Sequence, residues 1–310
     1  MEINKDLIKQ FEKQLNPQNL NESSIPAKIV GFGEISAIFQ LNGNEDVVYK
    51  RMPLFKTKNE AENYAAMYRE YCDLLKDAGL NLPNDELFIV EHEKKRPVVL
   101  YIAQENCPEN MFCHNLIHSL KNEDAELLIE QVAKEIQKVW DYNKVTTPSL
   151  ELALDGQLSN WVCKSKGNGS EYDLYYIDTS TPLYRKKNVE QQNPELLLQS
   201  APGFLRWMIR LFFLSDVMNR YYNLKEVYKD LAGNLYKEQR SDLIPAAIEI
   251  VNQHLGAIGD LLTLKDVEKY YKEDKIIWSV FLSFRRIDCF IKTKILFSRY
   301  EFMLPGKIER

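Results

Sequence analysis

Paired cysteines are missing from this sequence. The five present, Cys72, Cys107, Cys113, Cys163 and Cys289, are odd in number, and none stands in C-x-x-C spacing. Structural zinc needs closely spaced N/S ligands, and four histidines (His92, His114, His118, His254) supply a His-based site poorly. His114 and His118 stand at helical spacing without a third ligand and read as surface or core histidines. An excess of cations is also lacking. Forty Lys+Arg against 45 Asp+Glu give a net charge of -5, which removes the basic field that nucleic-acid binding requires. Twelve Gly and 12 Pro exclude a collagen-like or linker-rich chain. No apolar run is long and clean enough to span a bilayer. The most apolar stretch, Phe204–Tyr222, is interrupted by Arg206, Arg210, Asp216 and Arg220. Each charge near a bilayer centre costs about 2.5–3.5 kcal/mol, so a buried helix is expected there instead. The N-terminal MEINKDLIKQFEKQL has no apolar core of a signal peptide, and a reducing, cytoplasmic location follows as the expectation.

What remains is an ordinary globular composition: 310 residues, 45% hydrophobic and 27% charged. That length suits one large domain or two lobes of one enzyme body. The two ends of the chain read differently. From Ile25 to about Glu105, short β-rich runs dominate: AKIVGF, EISAIFQL, VVYKRM, then LFIVEHEKKRPVVLYIA as two runs joined by a charged turn. Between them Ala61, Tyr64, Ala65, Tyr68, Tyr71, Leu75 and Ala78 recur at three and four, predicting a helix over Lys58–Ala78 that stops at Gly79. The expectation is an N-lobe over residues 1–103, with an N-terminal helix, a five-stranded antiparallel sheet and one packed helix. Residues 104–310 form a mainly helical C-lobe, with helices over Glu123–Tyr142, Ala201–Tyr222, Asp242–Leu262 and Lys275–Leu304. The fold class is α+β, two-lobed. A non-helical insert, 146–188, carries two strand-like runs, NWVCK and DLYYID, around the turn GNGSE.

The insert holds the most informative residues. Asp155 and Asn160 stand five apart on a loop before a strand, and Asp178 ends the next strand. A hairpin with that entry and exit can gather three oxygen ligands at one end, which suits Mg²⁺ carrying phosphate. Upstream, Gly31 and Gly33 lie at a strand turn, where backbone N–H groups can approach a phosphate without a Cβ in the way. Lys50 lies on the third strand. Glu70 lies on the helix between Met67 and Leu74, where it can face the sheet and hold Lys50. The order is phosphate cover, phosphate cation, the cation's partner, a base and two metal ligands.

This order resembles the protein-kinase-like superfamily, in particular its small-molecule branch of aminoglycoside phosphotransferases and choline or homoserine kinases. REYCDLLKDAGLNLP, Arg69–Pro83, is similar to the helix-to-strand passage of the aminoglycoside branch. The resemblance covers about residues 25–190. It implies ATP and Mg²⁺ as cofactors, Asp155 as catalytic base, and Asn160 and Asp178 as metal ligands. It puts Lys50 on the phosphates with Glu70 as its partner, Glu62 being the competing choice. It also implies Gln104 and Glu105 as the hinge, offering backbone groups to adenine. The implied activity is phosphate transfer to a hydroxyl of an unidentified small molecule, with transfer of AMP left open. Departures from the pattern are Ala153 where a His usually precedes the catalytic Asp, Ser36 for the third glycine, and Thr179-Ser180 after Asp178. They motivate the alternative of a pseudokinase-like protein that binds nucleotide or a partner protein without transfer.

The C-terminal stretch 275–310 carries eight Lys/Arg and three Asp/Glu. It reads first as a long amphipathic helix with a solvated basic face, and second as a surface where Arg285, Arg286 or Lys292 meet an anionic substrate or a lipid surface.

Overall fold

Alternating burial organises the first third of the chain. The computed structural model describes residues 3–33, 36–92, 96–165, 172–193, 196, 218–256 and 259–305. Strands β1 (Ala27–Phe32), β2 (Ala37–Leu41), β3 (Val47–Phe55), β4 (Asp85–Val90) and β5 (Val98–Glu105) form one antiparallel sheet in the order β1-β2-β3-β5-β4. β3 is buried along its whole length because both faces are covered. On one face Val47, Tyr49, Val99 and Tyr101 pack with Ile8 and Phe11 of helix α1 (Lys5–Gln14). On the other, Met52, Leu54, Leu100 and Ile102 pack with Tyr64 and Tyr68 of helix α2 (Lys58–Asp77). Side chains alternate across a strand, so neighbouring residues part company: Lys50 falls on the α2 face and Arg51 on the α1 face.

Local chemistry sets the ends of α2. The Thr57 side chain accepts from Glu60 N–H at the start. At the finish Gly79 takes φ +91, its N–H bonds Lys76 O, and Leu80 N–H bonds Leu75 O at 3.0 Å. That is a Schellman stop, and only glycine adopts its left-handed position at no steric cost.

Helices dominate from Cys113 onward: α3 (Cys113–Ser119), α4 (Asn122–Thr146), α5 (Leu224–Lys237), α6 (Ile244–Leu255) and α7 (Leu264–Phe290). Between α4 and α5 lie a hairpin of β7 (Trp161–Ser165) and β8 (Tyr172–Tyr176), and a small sheet of β6 (Leu150–Leu152), β9 (Tyr184–Lys186) and β10 (Val189–Glu190). Leu128, Val132 and Ile136 of α4 share a core with Trp161 of β7, Leu231 of α5 and Val251 of α6. The architecture is thus α+β, an antiparallel sheet followed by helices.

Several expected helices shift. The helix over Ala201–Tyr222 and the turn GNGSE fall almost wholly outside the described residues. The one over Asp242–Leu262 ends at Leu255, because Asn252 folds the chain back by bonding both Leu262 N–H and Leu262 O, at 2.7 and 2.9 Å. α5 was not among the expected helices. The C-terminal helix begins earlier, where Thr263 and Asp266 form a capping box, and after Phe290 it gives way to a π-type turn, Ile291–Ile295. Among the described residues no helix is long and apolar enough to cross a membrane.

Candidate functional site

Ile177, just past the end of β8, joins three parts of the chain. Its carbonyl accepts from Lys50 Nζ of β3 at 2.7 Å and from Gln104 Nε2 of β5 at 3.4 Å. Its N–H donates to Asn160 O at 3.0 Å. Lys50 is therefore held one residue from Asp178, although 127 positions separate it from Ile177 in sequence. Lys50 is only 4% exposed. Burial pulls its ammonium pKa below the ordinary value, and Asp178, Cys72 and Asp85 oppose that pull. Ser180 Oγ donates to Asp178 Oδ1 at 3.0 Å.

The loop at Asp155 is fixed from several sides. Asp155 N–H donates to Tyr176 Oη at 3.2 Å, Gln157 N–H to Asp155 Oδ1 at 3.1 Å, and Asn160 Nδ2 to Asp155 O at 3.3 Å. Asn234 of α5 bonds Gln157 Oε1 at 3.1 Å. A Cβ at Gly156 would lie 2.6 Å from Val227 Cγ1 and 3.1 Å from Ile136 Cδ1, so the backbone beside Asp155 sits flush against α4 and α5. The segments that carry Asp155, Asn160 and Asp178 thus lie at one end of the β7–β8 hairpin, with Lys50 and Gln104 arriving from the sheet.

Helix α2 reaches this centre through tyrosines. Tyr64 Oη donates to Ser180 O at 2.6 Å, Tyr68 Oη lies 3.0 Å from Thr179 Oγ1, and Tyr71 Oη donates to Ala153 O at 2.8 Å. Buried tyrosine hydroxyls need partners, and these three, at four- and three-residue spacing, find theirs on the two loops that carry Asp178 and Asp155. The stripe is visible in the sequence. Its periodicity alone reads as core, and only the hydroxyls distinguish it.

The expected partnership of Glu70 with Lys50 is not made. Glu70 pairs instead with Lys186 of β9 and accepts from Tyr184 Oη at 2.8 Å. Lys186 and Tyr184 hold its carboxyl below the ordinary pKa range. The tyrosine stripe occupies the face of α2 that meets Lys50's surroundings, which leaves Glu70 at the helix edge facing β9. Glu62, the competing choice, is exposed. The hinge expectation changes too. Glu105 N–H donates to Asn84 O at 2.8 Å and Asn106 N–H to Asp46 O at 2.9 Å, so neither N–H is open to a base. The Glu105 carboxylate pairs with Lys164 of β7 at 3.1 Å. Gly33 N–H closes the β1–β2 hairpin on Ser36 O at 2.9 Å. A Cβ at Gly31 would make only ordinary contact with Ile38, whereas one at Gly33 would lie 2.8 Å from Ser36 Oγ. The hairpin tip at 34–35 lies outside the described residues.

Over residues 30–289 the sequence matches the family of unknown function DUF6206. The chain belongs to that family. Among curated proteins nothing matches. Among solved structures, this DUF6206 member is similar to WaaP in complex with acyl carrier protein, at 14% identity over 73% of this chain and 90% of that chain, with a TM-score of 0.33.

Mg²⁺ requires hard oxygen donors, one or two of them carboxylates, beside phosphate oxygens. Among the described residues no group of three or more His, Cys, Asp or Glu gathers to hold a metal alone. One carboxylate, Asp178, and one amide oxygen, that of Asn160, suit a hard cation that brings phosphate oxygens with it. Asn160 spends its amide nitrogen on Asp155 O. A cation arriving with phosphate therefore fits this set, and a bare structural metal does not.

Proposed function

We propose that this chain has a kinase-like site that binds ATP with Mg²⁺ and transfers phosphate to a hydroxyl of a small molecule. The observation that carries this reading is the convergence of Lys50 and the Asp178 segment on Ile177, with Asp155 and Asn160 bonded to the same strand end. Lys50 would neutralise phosphate oxygens, and Asp178 and Asn160 would hold Mg²⁺. Asp155 would orient the acceptor hydroxyl and take its proton as its oxygen attacks the γ-phosphorus and ADP leaves. Such catalysis rests on positioning and electrostatic stabilisation. Gln104 would act through its side chain, since its amide already shares the carbonyl that Lys50 holds.

A thermal-shift titration of the full chain with Mg·ATP tests this. At about 100 times Kd the ligand adds roughly 2.7 kcal/mol of stability. Asp178→Ala should remove the shift; Asp155→Ala should keep it and abolish ATP turnover with hydroxylated acceptors. An unshifted chain at millimolar ATP, or a shift indifferent to Asp178→Ala, would sink the reading. Nucleotide binding without transfer is a second reading, favoured by Glu70, which leaves Lys50 on a backbone carbonyl. A shift without turnover over a broad set of acceptors selects it.

A further inference from the structure

Among the described residues, the C-terminal helix leaves an apolar face exposed. Of the fifteen large hydrophobic side chains exposed among the described residues, eight fall between Ile276 and Phe297. Ile276, Val280, Ile287 and Phe290 share one face of α7 at the four-, seven- and three-residue steps of a helix. The face continues into the π-type turn as Ile295, Leu296 and Phe297, three consecutive exposed apolar residues, with Phe297 at 88% exposure. Three adjacent exposed apolar side chains are a defect in a merely solvated surface, and a patch of this extent marks a contact surface.

Apart from Glu273 at the start of the face, which pairs with Lys269, the exposed charge around it is positive. Lys275, Arg286 and Lys294 are exposed beside it. The only acidic residue from 275 to 300, Asp288, is buried and paired with Lys292 at 2.8 Å. Arg285 is buried as well, so of the cations expected to act here it cannot take part. An isologous contact with a second copy would set this basic rim against itself. Apolar side chains amid exposed lysine and arginine instead match the interfacial layer of a membrane with anionic headgroups, where a helix lies in the plane of the surface.

We propose that the face of α7 and the turn after it, Ile276 to Phe297, docks on an anionic lipid bilayer surface. Leu296 and Phe297 enter the headgroup–acyl boundary, and Lys275, Arg286 and Lys294 meet lipid phosphates and carboxylates. This holds whether or not the site at Asp178 transfers phosphate. The full chain is sedimented with vesicles of phosphatidylcholine alone and of phosphatidylcholine with 30% phosphatidylserine (about 0.1 M salt, near a 10 Å screening length). The expected result is co-sedimentation with the anionic vesicles, weakened at least about tenfold by Leu296→Ser/Phe297→Ser, by Lys275→Glu/Lys294→Glu, and by raised salt. A chain that stays in the supernatant with anionic vesicles overturns the proposal, as does binding that ignores both double variants. Two results assign the face elsewhere and equally overturn it. One is a dimer of the free protein, seen by sedimentation velocity, that Leu296→Ser/Phe297→Ser disperses. The other is a drop in Tm of the free double variant, which would mean that the chain covers the face itself.

Discussion

Glu12 is a carboxylate with almost no access to water, and its partners decide what that means. Burial is the largest single influence and would raise its pKa, but the charge and hydrogen bonds of Arg51 and the hydrogen bonds of His92 and Tyr101 together outweigh it, and the group sits far below its ordinary value of 4.5. Arg51 grips it through two bonds, Nε–Oε2 at 2.7 Å and Nη2–Oε1 at 2.9 Å, and reaches Glu301 Oε2 at 2.8 Å. Tyr101 and Arg96 complete the cluster. A folded pKa below the unfolded one stabilises the native state above the unfolded pKa, and that stability is lost as pH falls toward the folded value. Removing one partner of a buried pair costs about 3–5 kcal/mol. Glu12→Gln should therefore lower unfolding free energy by about that much at pH 7 in urea titrations, and the deficit should shrink as pH drops below 4.5. A deficit that stays constant from pH 7 to pH 3 would mean that the ionised form is not what stabilises the fold. At the same scale the sequence makes Lys50 legible and Arg51 silent. Alternation sends them to opposite faces, and nothing local says that the α1 face would hold a second, buried charge cluster.

Helix α2 shows how far local rules reach and where they stop. Its start at Lys58 and its stop at Gly79 follow from a cap, a period and a glycine, all contained in the segment itself. The side on which Glu70 meets its partner does not. A helical wheel separates apolar from polar faces, but it does not say which neighbour stands at the polar edge, and here that neighbour is Lys186 from a strand more than a hundred residues away. The tyrosines tie the helix to the Asp178 and Asp155 loops by neutral hydrogen bonds, and Lys50 is held by the Ile177 carbonyl instead of by Glu70. Tyr68→Phe keeps the packing but leaves Thr179 Oγ1, which is buried, without that bond. A loss of about 1–3 kcal/mol is expected. If α2 positions the proposed site, the Mg·ATP thermal shift should shrink with it. Tyr184→Phe, which removes only the Tyr184–Glu70 bond and leaves Glu70 paired with Lys186, should leave the shift intact. Equal effects of the two variants on the shift would refute a positioning role for the stripe.

Across the whole molecule, residues 299–303 return to the N-terminal segment around α1. Beyond α7 and the turn after it, the chain runs along the α1 side of the sheet. Arg299 donates to Leu15 O at 2.7 Å, Gln18 to Tyr300 O at 3.2 Å, and Arg51 to Glu301 O at 2.6 Å. Tyr300 and Met303 are buried there. The sequence read as one helix through Leu304 because ILFSRYEFML is apolar and lacks Gly or Pro before Pro305. The break comes from φ +47 at Phe297 and is held by partners near the other end of the chain, which no local pattern can reveal. α5 is the opposite case. Leu224, Val227, Tyr228, Leu231 and Leu235 follow a helical period behind the cap of Asn223, so its signal was local and present. The sheet order and the convergence on Ile177 needed only strands, turns and one helix, whereas the closing of the C-terminal segment over α1 needs the finished fold. That segment ties β3 from behind through Arg51, the residue next to Lys50. Removing residues 299–310 deletes Glu301 from Arg51 and uncovers the sheet. The shortened chain should lose several kcal/mol, at about 2 °C of Tm for each. Because β3 carries both residues, the Mg·ATP affinity proposed for the site should, if the proposal holds, fall in the same variant. A truncated chain with unchanged Tm would show that the segment lies on the sheet without stabilising it, and unchanged nucleotide affinity would uncouple the two faces of β3.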